Sequence, residues 1–315
     1  VSASLSICPM KYLSFLTELN PARLILFQIV RFTSLSAFAL PAATLPIAGV
    51  DYSEYRPAKI EGSSMYWESK RRADNPNVFD LELTEEACVG PADYQYLMGG
   101  VSLGAGMYAM EQVTGRPMIW ASVQFVSNSP VGASCTVTTE VLASGRRAIQ
   151  ARAVIAEGDR PIHYIYGALG TRETENPQSY LKMPVVPGPE QSEPKPLLGD
   201  KPRNNLLSRL EMRTARADHA EGKEYIWFRS KDGLTMSPQW LAIVADFMPA
   251  GHPASSMSRS LDNTLRLHKL VESEWVLGEV QLFEARNGYF HGDIRMFAED
   301  GTLLATGGQT GITLA

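Results

Sequence analysis

The most reactive-looking string in this 315-residue chain is Gly100-Val101-Ser102-Leu103-Gly104. Its G-x-S-x-G spacing is the one in which a sharp strand-to-helix turn lifts a serine hydroxyl out for nucleophilic attack. Such an elbow needs a buried apolar strand directly before it and a His-Gly run that supplies oxyanion donors. The chain offers Asp93-Tyr94-Gln95-Tyr96-Leu97-Met98 and no such run, so Ser102 reads as a helix residue and not as a nucleophile. Five histidines, His163, His219, His252, His268 and His291, include no metal-ligand pair. Asp262 and His268 alternate onto one face of a strand, but six residues at ~3.3 Å put them about 20 Å apart, too far for an acid/base pair. His252, beside the end of a second apolar helix, is an alternative base. Cys8, Cys88 and Cys135 lack metal spacing and a disulfide framework, which suggests a reducing compartment and a role as small apolar residues.

The elements that must position these residues follow from periodicity. Leu103, Met107, Met110 and Val113 recur at helical spacing, with Gly104, Ala105, Gly106 and Ala109 between them. The spacing predicts a buried helix over Gly100 to Val113, slim enough for a curved sheet to enclose. Val78 to Leu83 alternates as a strand, and further strands are expected near Ile119 to Phe125, Cys135 to Leu142, Ala148 to Ala156 and Pro161 to Gly167. The turns between the last three are too short for crossovers, which excludes a parallel sheet. Seven prolines between Asn176 and Arg203 read as an extended linker and a domain boundary. Beyond it the pattern returns. Strands are expected at Glu211 to Met212 and Tyr225 to Ser230, and Ser237-Pro238 caps a helix to Phe247. Strands follow at Leu261 to His268, Trp275 to Glu284, Tyr289 to Ala298 and Leu303 to Gln309. The closing Gly167-Ala168-Leu169-Gly170 of the first half answers Gly308-Gln309-Thr310-Gly311 of the second, an internal repeat.

Composition bounds the partners. With 44% hydrophobic residues, 20% charged and a formal charge of -5, the chain is globular, holds a sizeable core and lacks the basic surface that nucleic acid requires. Residues 1 to about 50 are Ser-rich and hold Glu18 as their one acid, the composition of a mitochondrial presequence. Phe32 to Val50 is uncharged, but Pro41 and Pro46 make it a poor membrane span, so no stable insertion is expected. The expected location is intracellular, cytoplasmic or mitochondrial.

A helix wrapped by an antiparallel sheet, present twice across a proline-rich linker, is the double hotdog arrangement. Leu81 to Gly100 running into the helix, Ser260-Leu261-Asp262, Glu274-Trp275 and Ala305 to Gly311 together resemble the acyl-CoA thioesterase II family. The resemblance spans Val78 to Thr313. It implies an α+β tandem hotdog fold with an N-terminal extension over 1–77, modules over 78–175 and 210–315, and a linker over 176–209. It also implies hydrolysis of an acyl-CoA or related acyl thioester by direct water attack, without metal or cofactor. In the family an aspartate after Ser-Leu, a hydroxyl in the following strand and a glutamine in the last strand activate the water. Carried over, the aspartate is Asp262 and the glutamine Gln309. The hydroxyl position falls at Phe283, which has none, and Thr264 is the compensating candidate. Ala168 stands for Gln309 in the first repeat, so one site per chain is expected. The amides of Gly99, Gly100 and Val101 at the helix N-terminus would polarise the carbonyl. Arg266, Lys269 and Arg286 can meet a CoA phosphate. Two alternatives stay open: a hotdog cyclase, lyase or dehydratase, and a silent acyl-binding protein. Association into a homo-oligomer is open too.

Overall fold

The computed structural model describes residues 66–171, 176–196, 204–256 and 258–313. The presequence-like stretch and Cys8 lie outside them. The strands are β1 Lys70–Arg71, β2 Val78–Glu82, β3 Cys88–Val89, β4 Tyr96–Leu97, β5 Met118–Phe125, β6 Ser134–Ser144, β7 Ile149–Glu157 and β8 Arg160–Leu169 in the first module. The second holds β9 Glu193–Pro194, β10 Leu210–Asp218, β11 Lys223–Ser230, β12 Ser258–Leu267, β13 Val276–Arg286, β14 Tyr289–Ala298 and β15 Leu303–Thr313. Each module has one central helix, α1 Gly99–Thr114 and α2 Pro238–Ala245, and a short α3 covers Pro253–Ser256.

The hydrophobic periods account for both helices. α1 buries nearly every residue from Gly100 to Glu111 and stops at Gly115, whose left-handed backbone (φ 63°) lets its N–H return to the Glu111 carbonyl. α2 begins where the Ser237 hydroxyl accepts the Trp240 N–H, with Pro238 at the first helical position, and all its residues are buried. It ends at Ala245, two residues before the expected end at Phe247, because Asp246 and Phe247 turn into a 3-10 segment over Met248–Gly251.

Among the described residues the modules share one antiparallel sheet in the order β1-β2-β6-β7-β8-β5-β12-β15-β14-β13-β11-β10-β9. The seam is the β5–β12 pair, running from Asp262 opposite Gln124 to Arg266 opposite Trp120. Its centre is Thr264 opposite Ser122, where the two hydroxyls lie 2.9 Å apart. Pairing these edges removes two exposed templates for aggregation. α1 and α2 pack against each other inside the sheet, and one core joins Leu103, Met107 and Ile165 of the first module to Leu241, Ile243 and Ile294 of the second.

Two boundaries differ from the sequence expectation. Tyr66 and Trp67 are buried, Tyr66 Oη donates to Asp232 Oδ2 at 2.7 Å, and β1 pairs with β2, so the sheet begins before 78. The proline-rich segment is not a free linker either. Met183 and Val186 pack on the Trp227–Trp275 cluster, Trp227 Nε1 donates to the Pro187 carbonyl, and Glu193–Pro194 adds an edge strand, the sheet position that tolerates proline. No helix among the described residues is long and apolar enough to cross a membrane.

Candidate active site

Where α2 runs out, Asp246 places a carboxylate at a helix C-terminus, an end whose dipole disfavours negative charge. Three donors hold it there. Gly100 N–H at the start of α1 donates to Oδ2 at 2.8 Å, and Gln309 Nε2 and Asn263 Nδ2 donate to Oδ1 at 2.8 and 3.3 Å. Burial raises the Asp246 pKa above the ordinary carboxylate value, and the three donors only partly oppose it. Gln309 Nε2 also reaches Ser260 Oγ at 2.7 Å, so carboxylate, amide and hydroxyl form one contiguous group. Gln309 Oε1 and Asn263 Oδ1, in the same group, are buried acceptors without a protein partner among the described residues.

Glycine makes the approach possible. A Cβ at Gly100 would lie 2.7 Å from the Ala242 carbonyl oxygen and the Ile243 Cα, and one at Gly99 would lie 2.9 Å from Asp246 Oδ2. Both positions need the missing side chain for space, since neither backbone is left-handed. A cleft of ≈ 790 Å³ opens on this point. Gly99, Asp246, Ser260, Phe125 and His163 line it, and Arg160 and Arg259 border it.

A register slip in β12 between Ser260 and Asp262 decides which residues share this face. Side chains alternate along a strand, so an extra residue changes the parity: Ser260 and Asn263 both reach the Asp246 group, and Asp262 lies on the other side from Asn263. Asp262 Oδ1 accepts the Thr310 backbone N–H at 2.8 Å, which closes the bulge. The expected meeting of Asp262 with Gln309 is therefore corrected: the carboxylate at Gln309 is Asp246. The hydroxyl is likewise Ser260. Phe283 is 62% exposed at a register slip of β13, and Thr264 hydrogen-bonds Ser122 at the seam. Arg266 is exposed opposite Trp120 and does not line the cleft. Of the glycine entry, Gly99 lines the cleft, Gly100 holds Asp246, and Val101 is fully enclosed. His252 has both ring nitrogens engaged, with the His219 carbonyl and the Ala254 N–H.

Ser102 does meet a histidine: its Oγ lies 2.5 Å from His163 Nδ1. The geometry still gives it no access. Ser102 is 0% exposed inside α1, and burial pulls the His163 pKa down to about 4, so the ring is a neutral packing partner, edge-on to Phe125.

Asp246 and Ser260 escaped the sequence reading. One signal was present for Asp246: a lone acid ending an otherwise apolar helix opposes the helix dipole and asks for an explanation. Ser260 gave none, because a bulge leaves no mark on the alternation of a strand that carries polar residues on both faces.

The chain's 189–313 segment matches the family model described as the acyl-CoA thioesterase C-terminal domain. A solved structure from Novosphingobium aromaticivorans, assigned as a thioesterase, is 30% identical, with 78% of this chain and 98% of that chain covered and a TM-score of 0.73. A protein of Thermobifida fusca assigned as a thioesterase II shares 17% identity over 79% and 96% of the two chains, with a TM-score of 0.67. Acyl-CoA thioesterase II TesB2 of Mycobacterium marinum shares 15% over 79% and 96%, with a TM-score of 0.63. At such identities the last two establish the fold alone. No curated protein matches the sequence.

Proposed function

This chain belongs to the double hotdog acyl-CoA thioesterase family, and from that premise we propose that it hydrolyses acyl-CoA through a water held by Asp246, Ser260 and Gln309. It is an acyl-CoA thioesterase-like hydrolase. The single observation that carries the site is the half-buried Asp246 carboxylate, with an amide and a hydroxyl on one side and the N-terminus of α1 on the other. A water beside the Asp246–Gln309 pair gives one proton toward the carboxylate and the other to Gln309 Oε1, a buried acceptor with no protein partner among the described residues. Its oxygen then faces the thioester carbon. As the C–O bond forms, Asp246 takes the first proton, and the positive end of α1 stabilises charge growing on the carbonyl oxygen. The tetrahedral adduct expels the CoA sulfur as the C–S bond breaks, and the Asp246 proton passes to that sulfur. The raised pKa suits a general base, because a more basic carboxylate takes a proton from water more readily. Arg259 at the border of the cleft offers a cation to the phosphates of CoA, whereas neighbouring Arg160 is paired with Glu157.

The test is release of free CoA from a panel of acyl-CoAs by the wild type and by Asp246→Asn. Hydrolysis falling by roughly 10²- to 10⁴-fold in the variant, with acyl-CoA binding retained, is the expected result. Binding without CoA release in the wild type would make this an acyl-binding protein; release untouched by Asp246→Asn would remove the carboxylate from the mechanism.

A further inference from the structure

A second cavity, ≈ 250 Å³, shares three apolar lining residues with the active-site cleft: Leu207, Phe247 and Ala250. Phe247 directly follows Asp246, so the shared wall lies one residue from the carboxylate proposed to receive the water's proton. Met212 and Pro253 continue the apolar lining, and the far wall changes character. There Glu224, 3% exposed, accepts from Lys195 Nζ at 2.5 Å and from Thr214 Oγ1 at 3.1 Å, and its other oxygen lies 3.3 Å from His219 Nε2. The His219 and His252 rings meet edge to face at 5.2 Å. The space holds about eight groups of water size, the size class of methylenes. The two sides of the Phe247 wall differ in kind: Arg259 borders the cleft, whereas apolar residues line the second cavity next to Phe247. Phosphates suit the first and an acyl chain the second.

Resting on the thioesterase reading, we propose that this second cavity receives the acyl chain and that its polar end wall selects a medium chain ending in a neutral hydroxyl, an ω-hydroxyacyl-CoA. A plain methyl terminus would be pressed against an ammonium, a carboxylate and two imidazoles, which gain nothing from it and lose water. A hydroxyl can donate to the Glu224 carboxylate there, which a methyl cannot. A terminal carboxylate fits less well, because Glu224 already balances the Lys195 charge and repels a second anion.

The experiment compares butyryl-, decanoyl-, ω-hydroxydecanoyl- and ω-carboxynonanoyl-CoA as substrates of the full chain. The expected kcat/KM for the ω-hydroxy compound exceeds that for decanoyl-CoA by about tenfold or more, since a pocket built to hydrogen-bond a hydroxyl rejects the analogue lacking it. The ω-carboxy compound should show no such gain. In Met212→Trp, which fills the cavity, the decanoyl-to-butyryl ratio should fall by about tenfold or more, the worth of a few displaced methylenes. The double variant Lys195→Met/Glu224→Gln removes both charges together, so that neither is left buried alone, and should erase the ω-hydroxyl preference. Equal turnover of decanoyl- and ω-hydroxydecanoyl-CoA, a preference for the ω-carboxy compound, or an unchanged chain-length profile in Met212→Trp would each overturn the proposal. Calorimetric binding of the same thioesters to Asp246→Asn reads the ω-preference without turnover. Lost hydrolysis thus counts against the thioesterase mechanism, and a lost ω-preference in binding against this one.

Discussion

The two ends of the α1–α2 pair are built on one plan and finished differently. Each has a carboxylate near the C-terminus of one helix facing the start of the other: half-buried Asp246 toward Gly100, and buried Glu111 toward Gln239. The seam through Ser122 and Thr264 relates them. β5 slips register between Met118 and Trp120 against β8, as β12 does between Ser260 and Asp262 against β15. Trp120 pairs with Ala168, and Asp262 with Thr310. In the first module Met118 and Gly167 therefore stand where the second has Ser260 and Gln309, one position away from the Ala168 correspondence that the repeated letters suggest. Both oxygens are engaged at either end, at Glu111 by the Met118 N–H at 2.9 Å and Gln239 Nε2 at 2.6 Å, and at Asp246 by Gly100, Gln309 and Asn263. A buried acid is thus not itself a site. What separates the ends is a hydroxyl and an amide in the sheet, and a cleft that reaches the acid.

The largest contrast expected is between Asp246→Asn and Glu111→Gln. The first should lower kcat by roughly 10²- to 10⁴-fold, and the second should leave CoA release within a few-fold of wild type. Stability should move the other way. The folded pKa of Asp246 is raised, so the folded state binds its proton more tightly, and stability falls as pH rises from the unfolded pKa through the raised one. Above that window the ionised carboxylate is a cost that Asn removes, and Gln309 can turn its free Oε1 to the new amide. Thermal melting at neutral pH should rise by about 2–4 °C, the equivalent of ~1 kcal/mol for a chain of this size. Glu111→Ala, which strands the Met118 N–H and the Gln239 amide, should cost ~1–3 kcal/mol in a denaturant titration. The same raised pKa places the acid limb of kcat/KM for wild type above the ordinary carboxylate range, with activity lost as pH falls through it.

A smaller effect is expected from Gln309→Ala and Ser260→Ala. Each should lower kcat by about 10- to 100-fold, and the double variant should lose less than the product, since residues acting on one water are not additive. The helix glycines sharpen the comparison through stability. Gly100→Ala drives a methyl into the α2 backbone and should cost ~1–3 kcal/mol, with activity falling as Asp246 is displaced. At Gly104 an added Cβ meets Gln239 at 3.4 Å, ordinary contact, so Gly104→Ala should be neutral or gain up to ~1 kcal/mol from helix propensity. The smallest changes belong to the outer face. Asp262→Asn and Phe283→Thr should each leave CoA release within a few-fold, and a large loss in either would return the water to the outer side of β12.

Much of this molecule was legible in its letters because hydrophobic periodicity is local. Apolar residues four and three apart between Leu103 and Val113 could form little but a buried helix, and the short turns after Phe125 could join only antiparallel strands. Those two facts, repeated past the prolines, determined the double hotdog and pointed to its sealed helices. Gln309 was found through the family resemblance, which places a glutamine in the last strand. Which acid it meets was not a local property. Asp262 sits in the right strand, but one slipped residue in β12 turned Ser260 and Asn263 to the helices and left Asp262 to close the bulge. Asp246, 63 positions before Gln309, reaches it only because α1 and α2 cross closely enough at Gly100 for one helix's last residue to touch the other's first amide. Periodicity sets the faces of isolated elements, whereas the parity of a bulge and the distance between crossing helices are decided by packing, so the chemistry of the site came into being only in the tertiary structure.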